Sequence, residues 1–147
     1  MVKRVWILIL FLSLAIGFLA ANDDSEKAAI KKVIEDAYLN GVVNVGDVDA
    51  VKQGFHEDFS LKGIEKGKLF VLPIADWIES IKERKAAGAY PAKVKTHFEY
   101  PLIDITGTAA IVKVIFKQGE KLVYTDYLLL LKFEDGWRLT DKIYFRH

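Results

Sequence analysis

From Lys93 to its end the chain alternates long β-prone runs with three short glycine-containing breaks. The runs are Val94–Ile105, Ala109–Lys117, Lys121–Phe133 and Trp137–Phe145. The breaks are Thr106-Gly107, Gln118-Gly119-Glu120 and Glu134-Asp135-Gly136, each a hairpin signal. Links this short can join only antiparallel neighbours, because a parallel crossover needs a dozen or more residues. A four-strand antiparallel meander is therefore predicted for the second half. Whatever precedes it must cover one face of that sheet.

The first half supplies helices. Ser25 is placed as an N-cap, with Glu26 following in the first turn, where a carboxylate suits the unpaired amides. Ile30, Val33, Ile34, Ala37, Tyr38 and Gly41 recur at spacings of three and four, which is one apolar helix face. Lys31, Lys32, Glu35 and Asp36 form the solvated face. Gly46-Asp47 breaks this helix and a second short one is predicted from Val48 to Phe55. Short strands at Phe59–Ile64 and Leu69–Leu72 are joined by Glu65-Lys66-Gly67. Pro73 suits the opening turn of a third helix, where its missing amide costs nothing. Ile74, Trp77, Ile78 and Ile81 form its buried stripe, and Gly88 ends it. The order helix, helix, hairpin, helix, meander is α+β, with three helices on one face of a strongly curved, mainly antiparallel sheet.

Composition enters through the N-terminus. Lys3 and Arg4 precede an unbroken apolar run from Val5 to Ala21, and Asn22-Asp23-Asp24-Ser25 then turns polar. That pattern is a signal peptide over residues 1–21, leaving a single domain over 22–147. The chain is expected to be exported, periplasmic or secreted; an uncleaved anchor helix is the alternative, since the run sits at the lower edge of a bilayer span. The whole chain carries a net charge of +1; without Lys3 and Arg4 it has 19 basic against 20 acidic residues. A charge so near neutral removes the electrostatic case for nucleic acid. With no cysteine there are no disulfides, no thiolate nucleophile and no cysteine-ligated metal.

Three stretches carry a family resemblance. They are Tyr38–Asp47 leading into Val48–Phe55; His56-Glu57-Asp58-Phe59 with Leu61-Lys62-Gly63-Ile64; and Asp126–Lys132 with Gly136-Trp137-Arg138-Leu139 and Lys142-Ile143. Together they resemble the nuclear transport factor 2-like superfamily, in the branch called putative lumazine-binding. The resemblance implies a cone-shaped α+β fold with a pocket between helices and sheet. Relatives include ketosteroid isomerases, limonene epoxide hydrolases and polyketide cyclases. Alignment on the Gly46-Asp47 break puts Leu39 at the isomerases' oxyanion tyrosine and Gly63 at their proton-transfer aspartate. No arginine matches the Asp–Arg–Asp set of the epoxide hydrolases. The known catalytic sets are thus not carried over, and the chain reads as non-catalytic.

Few polar residues fall on apolar faces, and these are the candidate site. Tyr38 lies on the buried side of the first helix; it is either a hydroxyl donor to a ligand or a core tyrosine bonded to a backbone carbonyl. Asp141 alternates with Trp137, Leu139, Ile143 and Phe145, and Asp126 with Tyr124, Leu128 and Leu130. If both carboxylates face one cavity, their repulsion raises one pKa and makes an acid/base pair. Trp77 belongs to the core or to a ligand platform. His56, two residues from Asp58, fits a turn cap better than a metal ligand, since His97 and His147 lie far along the chain. No metal and no cofactor are expected. The meander strands look apolar on both faces, with Tyr124, Leu128 and Leu130 on one side and Tyr127, Leu129, Leu131 and Phe133 on the other, which predicts an outer face covered by a second copy in a homodimer.

Three functions fit these residues. The first is an exported domain that binds a small apolar or aromatic molecule. The second is a metal-independent isomerase, dehydratase or hydrolase using Asp126 and Asp141. The third is a dimeric interaction module whose interior is filled by side chains.

Overall fold

A computed structural model describes residues 23–147. The signal-peptide reading of residues 1–21 lies outside the described residues. Helix α1 runs over residues 23–33 and continues over Ile34–Asn44 with a wider turn. There the hydrogen bonds reach five residues back, as from the Val45 amide to the Asn40 carbonyl at 2.9 Å. Among the described residues Asp23 and Asp24 are already helical, so Ser25 is not the helix's cap. Gly46, at φ +72°, then turns the chain, and Asp47 caps α2 (Val48–Gly54) by accepting the Asp49 and Ala50 amides at 3.1 Å.

The strands are β1 (Phe55–Glu65), β2 (Lys68–Pro73), β3 (His97–Thr106), β4 (Ala109–Gln118), β5 (Lys121–Phe133) and β6 (Gly136–Arg146). Helix α3 (Ile74–Ala86) follows β2 with Pro73 as its cap. β1 begins at Phe55, so the His56-Glu57-Asp58 segment is strand rather than turn. The meander hairpins fall at the three expected breaks.

The expected cone with its strongly curved sheet is corrected; four of the five strand pairings are antiparallel and one is parallel. The six strands form one open sheet of mixed direction in the order β2-β1-β6-β5-β4-β3, with β2 and β3 as separate edges. β1 and β6 run parallel, with Leu61 beside Lys142. The reason is topological. The link through α3 carries the chain to the far edge, and three reversals bring β6 back beside β1 in the same direction. Hairpin signals fix neighbours within the meander but not the edge at which it starts.

The helices cover one face of this sheet. Ile30, Ile34, Ala37 and Val42 of α1 pack with Val51, Phe59 and Ile81 on Val112, Val114, Leu128, Leu130 and Leu139. Burying such side chains contributes about 1.5–3 kcal/mol each, before the entropy of ordering them. Two polar clasps set α1 against the sheet. Near its start, Glu26 accepts Trp137 Nε1 and Lys132 Nζ, both at 2.7 Å. At its end, buried Asn44 exchanges hydrogen bonds with the backbone of Thr96, at 2.9 and 3.0 Å.

One irregularity positions the site. In the β5–β6 ladder Leu130 faces Leu139 while Leu129 faces Asp141, so Thr140 has no partner. This is a β-bulge, and its hydroxyl bonds the Leu129 carbonyl at 3.2 Å. Each extra residue exchanges the faces of every side chain beyond it. Before the bulge Trp137 and Leu139 are buried; beyond it Lys142 is buried while Ile143 and Phe145 are exposed.

Candidate functional site

Three elements converge beneath α1. Asp126 on β5 alternates with Leu128 and Leu130, all three essentially inaccessible to solvent. Lys142 sits beyond the bulge on β6, opposite Leu128. Tyr38 comes from the widened part of α1, on the same face as Ala37, Gly41 and Val42. The Tyr38 hydroxyl donates to Asp126 Oδ2 at 2.6 Å, and Lys142 Nζ lies 2.9 Å from the same oxygen. Lys142 Nζ also bonds the Tyr38 hydroxyl. Asp126 Oδ1 is buried with no partner.

An unpaired charge at this depth would be very costly, so carboxylate and ammonium hold each other in place. Burial pushes the Tyr38 phenol well above its usual range, and the charge and hydrogen bond of Asp126 push it further. Burial pulls Lys142 below the ordinary lysine value, against the charge and hydrogen bond of Asp126. Three rings surround the amine: Nζ lies 4.4 Å from the centroid of Tyr38, 5.5 Å from Tyr144 and 5.6 Å from Trp77. Aromatic faces attract a desolvated cation.

Lys142 forms one wall of a pocket of about 380 Å³. Tyr38, Trp77, Phe116, Tyr124 and Tyr144 supply aromatic walls; Val42, Val43 and Leu61 add aliphatic ones; Arg84 and Gln118 complete the lining. The volume is within the usual range for small-molecule sites, about 300–1,000 Å³, and the lining combines aromatic and aliphatic walls with a few polar groups. Rings behind the pocket brace its aromatic walls, with Phe98 5.0 Å from Tyr38 and Phe59 stacked on Trp77 at 6.0 Å.

The sequence candidates divide sharply. Tyr38 and Trp77 line the pocket, and Asp126 stands directly behind Tyr38 and Lys142. The Tyr38 hydroxyl meets a carboxylate rather than a backbone carbonyl. Asp141 is on the opposite face of the sheet, ion-paired with Lys62 and accepting the Lys142 amide at 2.8 Å. Simple alternation along β6 had aligned it with Trp137 and Leu139, and the bulge at Thr140 breaks that alignment. Asp126 and Asp141 therefore share no cavity, and the carboxylate pair is not assembled. His56 is also outside the pocket: it stacks on Phe133 at 5.1 Å, and its Nδ1 accepts the Asp58 amide at 3.2 Å. No group of three metal-ligating side chains occurs among the described residues. No helix among them is long and apolar enough to cross a membrane.

Lys142, Tyr144, Tyr124, Arg84 and Gln118 were not singled out by sequence. The usable signal for Lys142 was indirect, because an aspartate buried among leucines requires a cation. Gly63 has a structural explanation. A Cβ there would sit 2.5 Å from the Tyr144 ring, so the tyrosine fills the space a proton-transferring side chain would need.

The family model described as putative lumazine-binding matches residues 25–145. No curated protein matches the sequence. Among solved structures, the chain is similar to an NTF2-like protein of unknown function from Silicibacter pomeroyi. The TM-score is 0.70 at 21% identity, over 85% of this chain and 98% of that one. A second NTF2-like protein of unknown function, from Shewanella baltica, gives 0.65 at 25% identity, over 84% and 94%. A domain of unknown function with a cystatin-like fold, from Nostoc punctiforme, gives 0.63 at 11% identity, over 84% and 78%. With the family model spanning nearly the whole described domain, the chain belongs to the putative lumazine-binding family of the nuclear transport factor 2-like superfamily.

Proposed function

We propose that this chain is an exported domain that binds a flat aromatic small molecule between α1, α3 and the sheet. The observation that carries the reading is the pocket of about 380 Å³, walled by five aromatic side chains with Lys142 among its lining. A filled interior, the interaction-module reading, leaves no such space. The family description adds support, since lumazine is itself a flat heteroaromatic bicycle. Export rests on the apolar segment between Arg4 and Asn22.

The same reading includes a homodimer through the uncovered face of the sheet. Tyr127, Leu129, Leu131 and Phe133 of β5 and Ile143 and Phe145 of β6 are all exposed there. An apolar surface this continuous favours a partner. A second copy is the occupant that makes the patch meet itself across a twofold axis.

Native mass spectrometry of protein purified from its own host tests the three parts together. A dimer mass lacking residues 1–21 and carrying a bound small molecule is expected. Repeated recovery of an empty protein, with no stabilisation by any flat aromatic compound, would overturn the binding reading.

A further inference from the structure

We propose that Lys142 is a carbonyl-reactive amine, and that the pocket takes planar aromatic aldehydes, held as a protonated imine with Asp126 as counter-ion. This rests on the small-molecule reading of the same pocket and names its ligand class.

The amine is placed for it. Lys142 lines the cavity, its Nζ lies among the rings of Tyr38, Trp77 and Tyr144 that also line it, and its side chain is only 7% exposed. Charge bookkeeping favours the product. The net reaction joins the lysine ammonium to an aldehyde and gives a protonated imine plus one water. Both lysine forms carry one positive charge, so the attraction of Asp126, 2.9 Å away, is kept. So is that of the rings of Tyr38, Trp77 and Tyr144.

Nucleophilic attack needs the free amine. Asp126 can take the ammonium proton on Oδ2, to which both Lys142 and Tyr38 are already bonded. Its Oδ1 has no other partner to lose. The nitrogen lone pair then forms a bond to the carbonyl carbon, the C=O π electrons pass to oxygen, and that oxygen takes one of the two nitrogen protons to give a neutral carbinolamine. The proton held by Asp126 returns to that hydroxyl as the C–O bond breaks and water leaves. Burial lowers the affinity of Lys142 for its proton, in the direction the attack requires. A flat aromatic substituent on the aldehyde would lie against Trp77, Phe116 and Tyr124. Solvent-facing lysines lack this enclosure, which makes Lys142 the preferred amine.

The test is reductive trapping on the full chain with 2-naphthaldehyde and sodium cyanoborohydride at neutral pH, with peptide mapping by mass spectrometry. Binding of the unreactive 2-naphthalenemethanol is measured in parallel by tryptophan fluorescence. A single naphthylmethyl adduct at Lys142 is expected, suppressed by excess alcohol. It should be abolished in Lys142→Arg, which keeps a cation beside Asp126, and unchanged in Lys62→Arg on the opposite face. Adducts scattered over exposed lysines while the alcohol still binds would overturn the imine and leave the binding reading standing. Absence of both specific adduct and alcohol binding would sink both. If Lys142→Arg fails to fold, competition by the alcohol in the unmodified chain still decides.

Discussion

Replacing Lys142 with methionine should expose how the Asp126–Lys142–Tyr38 cluster is held. The side chain volume is nearly conserved, so the main loss is the cation 2.9 Å from Asp126 Oδ2. Asp126 has no solvent exposure and its Oδ1 has no other partner, so only the 2.6 Å hydrogen bond from Tyr38 remains. Stranding a buried charge in this way costs about 3–5 kcal/mol. For a domain of this size that is a fall in Tm of roughly 10–20 °C. Replacing the whole cluster, as Tyr38→Phe with Asp126→Leu and Lys142→Met, removes every group that needs a partner. Well-packed apolar replacements of buried ion pairs are often neutral or stabilising. The triple variant should therefore recover most or all of the loss, a strongly non-additive result. Urea denaturation followed by far-ultraviolet circular dichroism, with equal m values, measures each variant. A single substitution costing less than about 1 kcal/mol would refute the buried-pair account. So would a triple variant weaker than the single one.

Tyr38→Phe alone should cost about 1.5–3 kcal/mol at neutral pH, the range for a hydrogen bond to a charged group. Because the folded phenol holds its proton above the ordinary value of 10.0, the contribution of Tyr38 is complete below that pH. It is lost as pH rises beyond it. The gap between variant and wild type should narrow in alkaline urea titrations, and a constant gap would argue against the shifted phenol. Gly63→Ala forces the Tyr144 ring to move, since the new Cβ would lie 2.5 Å from it. A loss of about 1–3 kcal/mol, with weakened binding of naphthalenemethanol, is expected in denaturation and fluorescence titrations. Ile143→Lys, on the exposed face, should convert a dimer to a monomer in sedimentation while changing monomer stability by at most about 0.5 kcal/mol. A chain that is monomeric without the substitution would remove the dimer.

The parts of this fold that were legible in the sequence depend on short-range signals. Thr106-Gly107, Gln118-Gly119-Glu120 and Glu134-Asp135-Gly136 mark hairpins because turn geometry is set by adjacent residues. The spacing of Ile30, Ile34, Ala37 and Tyr38 marks a buried helix face, and all four are buried. What was not legible depends on distant parts of the chain. The parallel pairing of β1 with β6 is decided by the edge at which β3 enters the sheet. That choice leaves no mark in the local pattern, and it puts one parallel pair into an otherwise antiparallel sheet. Lys142 was missed for a different reason. Counting by twos along β6 assumes uniform pairing, and a lysine among polar residues reads as solvated. The widened turn of α1 was equally silent, since its apolar positions also satisfy spacings of three and four.

The bulge at Thr140 links these observations into one physical argument. With strict alternation from Leu139, position 141 would turn inward and position 142 outward. Asp141 would then stand near Asp126 in a buried layer with no cation, two like charges where one already requires a partner. The added residue at Thr140 exchanges the faces, so Lys142 meets Asp126 and Tyr38 inside while Asp141 meets Lys62 outside. Both carboxylates gain an opposite charge from a single backbone irregularity. Thr140→Ala loses one side-chain hydrogen bond to the Leu129 carbonyl, about 1 kcal/mol. Deleting Thr140 joins Leu139 directly to Asp141, which keeps Leu129 opposite Asp141 and Leu128 opposite Lys142 in a regular ladder. Both variants should therefore keep Lys142 inside beside Asp126 and Asp141 outside beside Lys62, because the face each side chain takes depends on the count of paired residues. Denaturation midpoints for the two variants compare the threonine side chain with the extra residue itself. A deletion that cost the roughly 3–5 kcal/mol of a stranded buried charge would refute this account of how the faces are set.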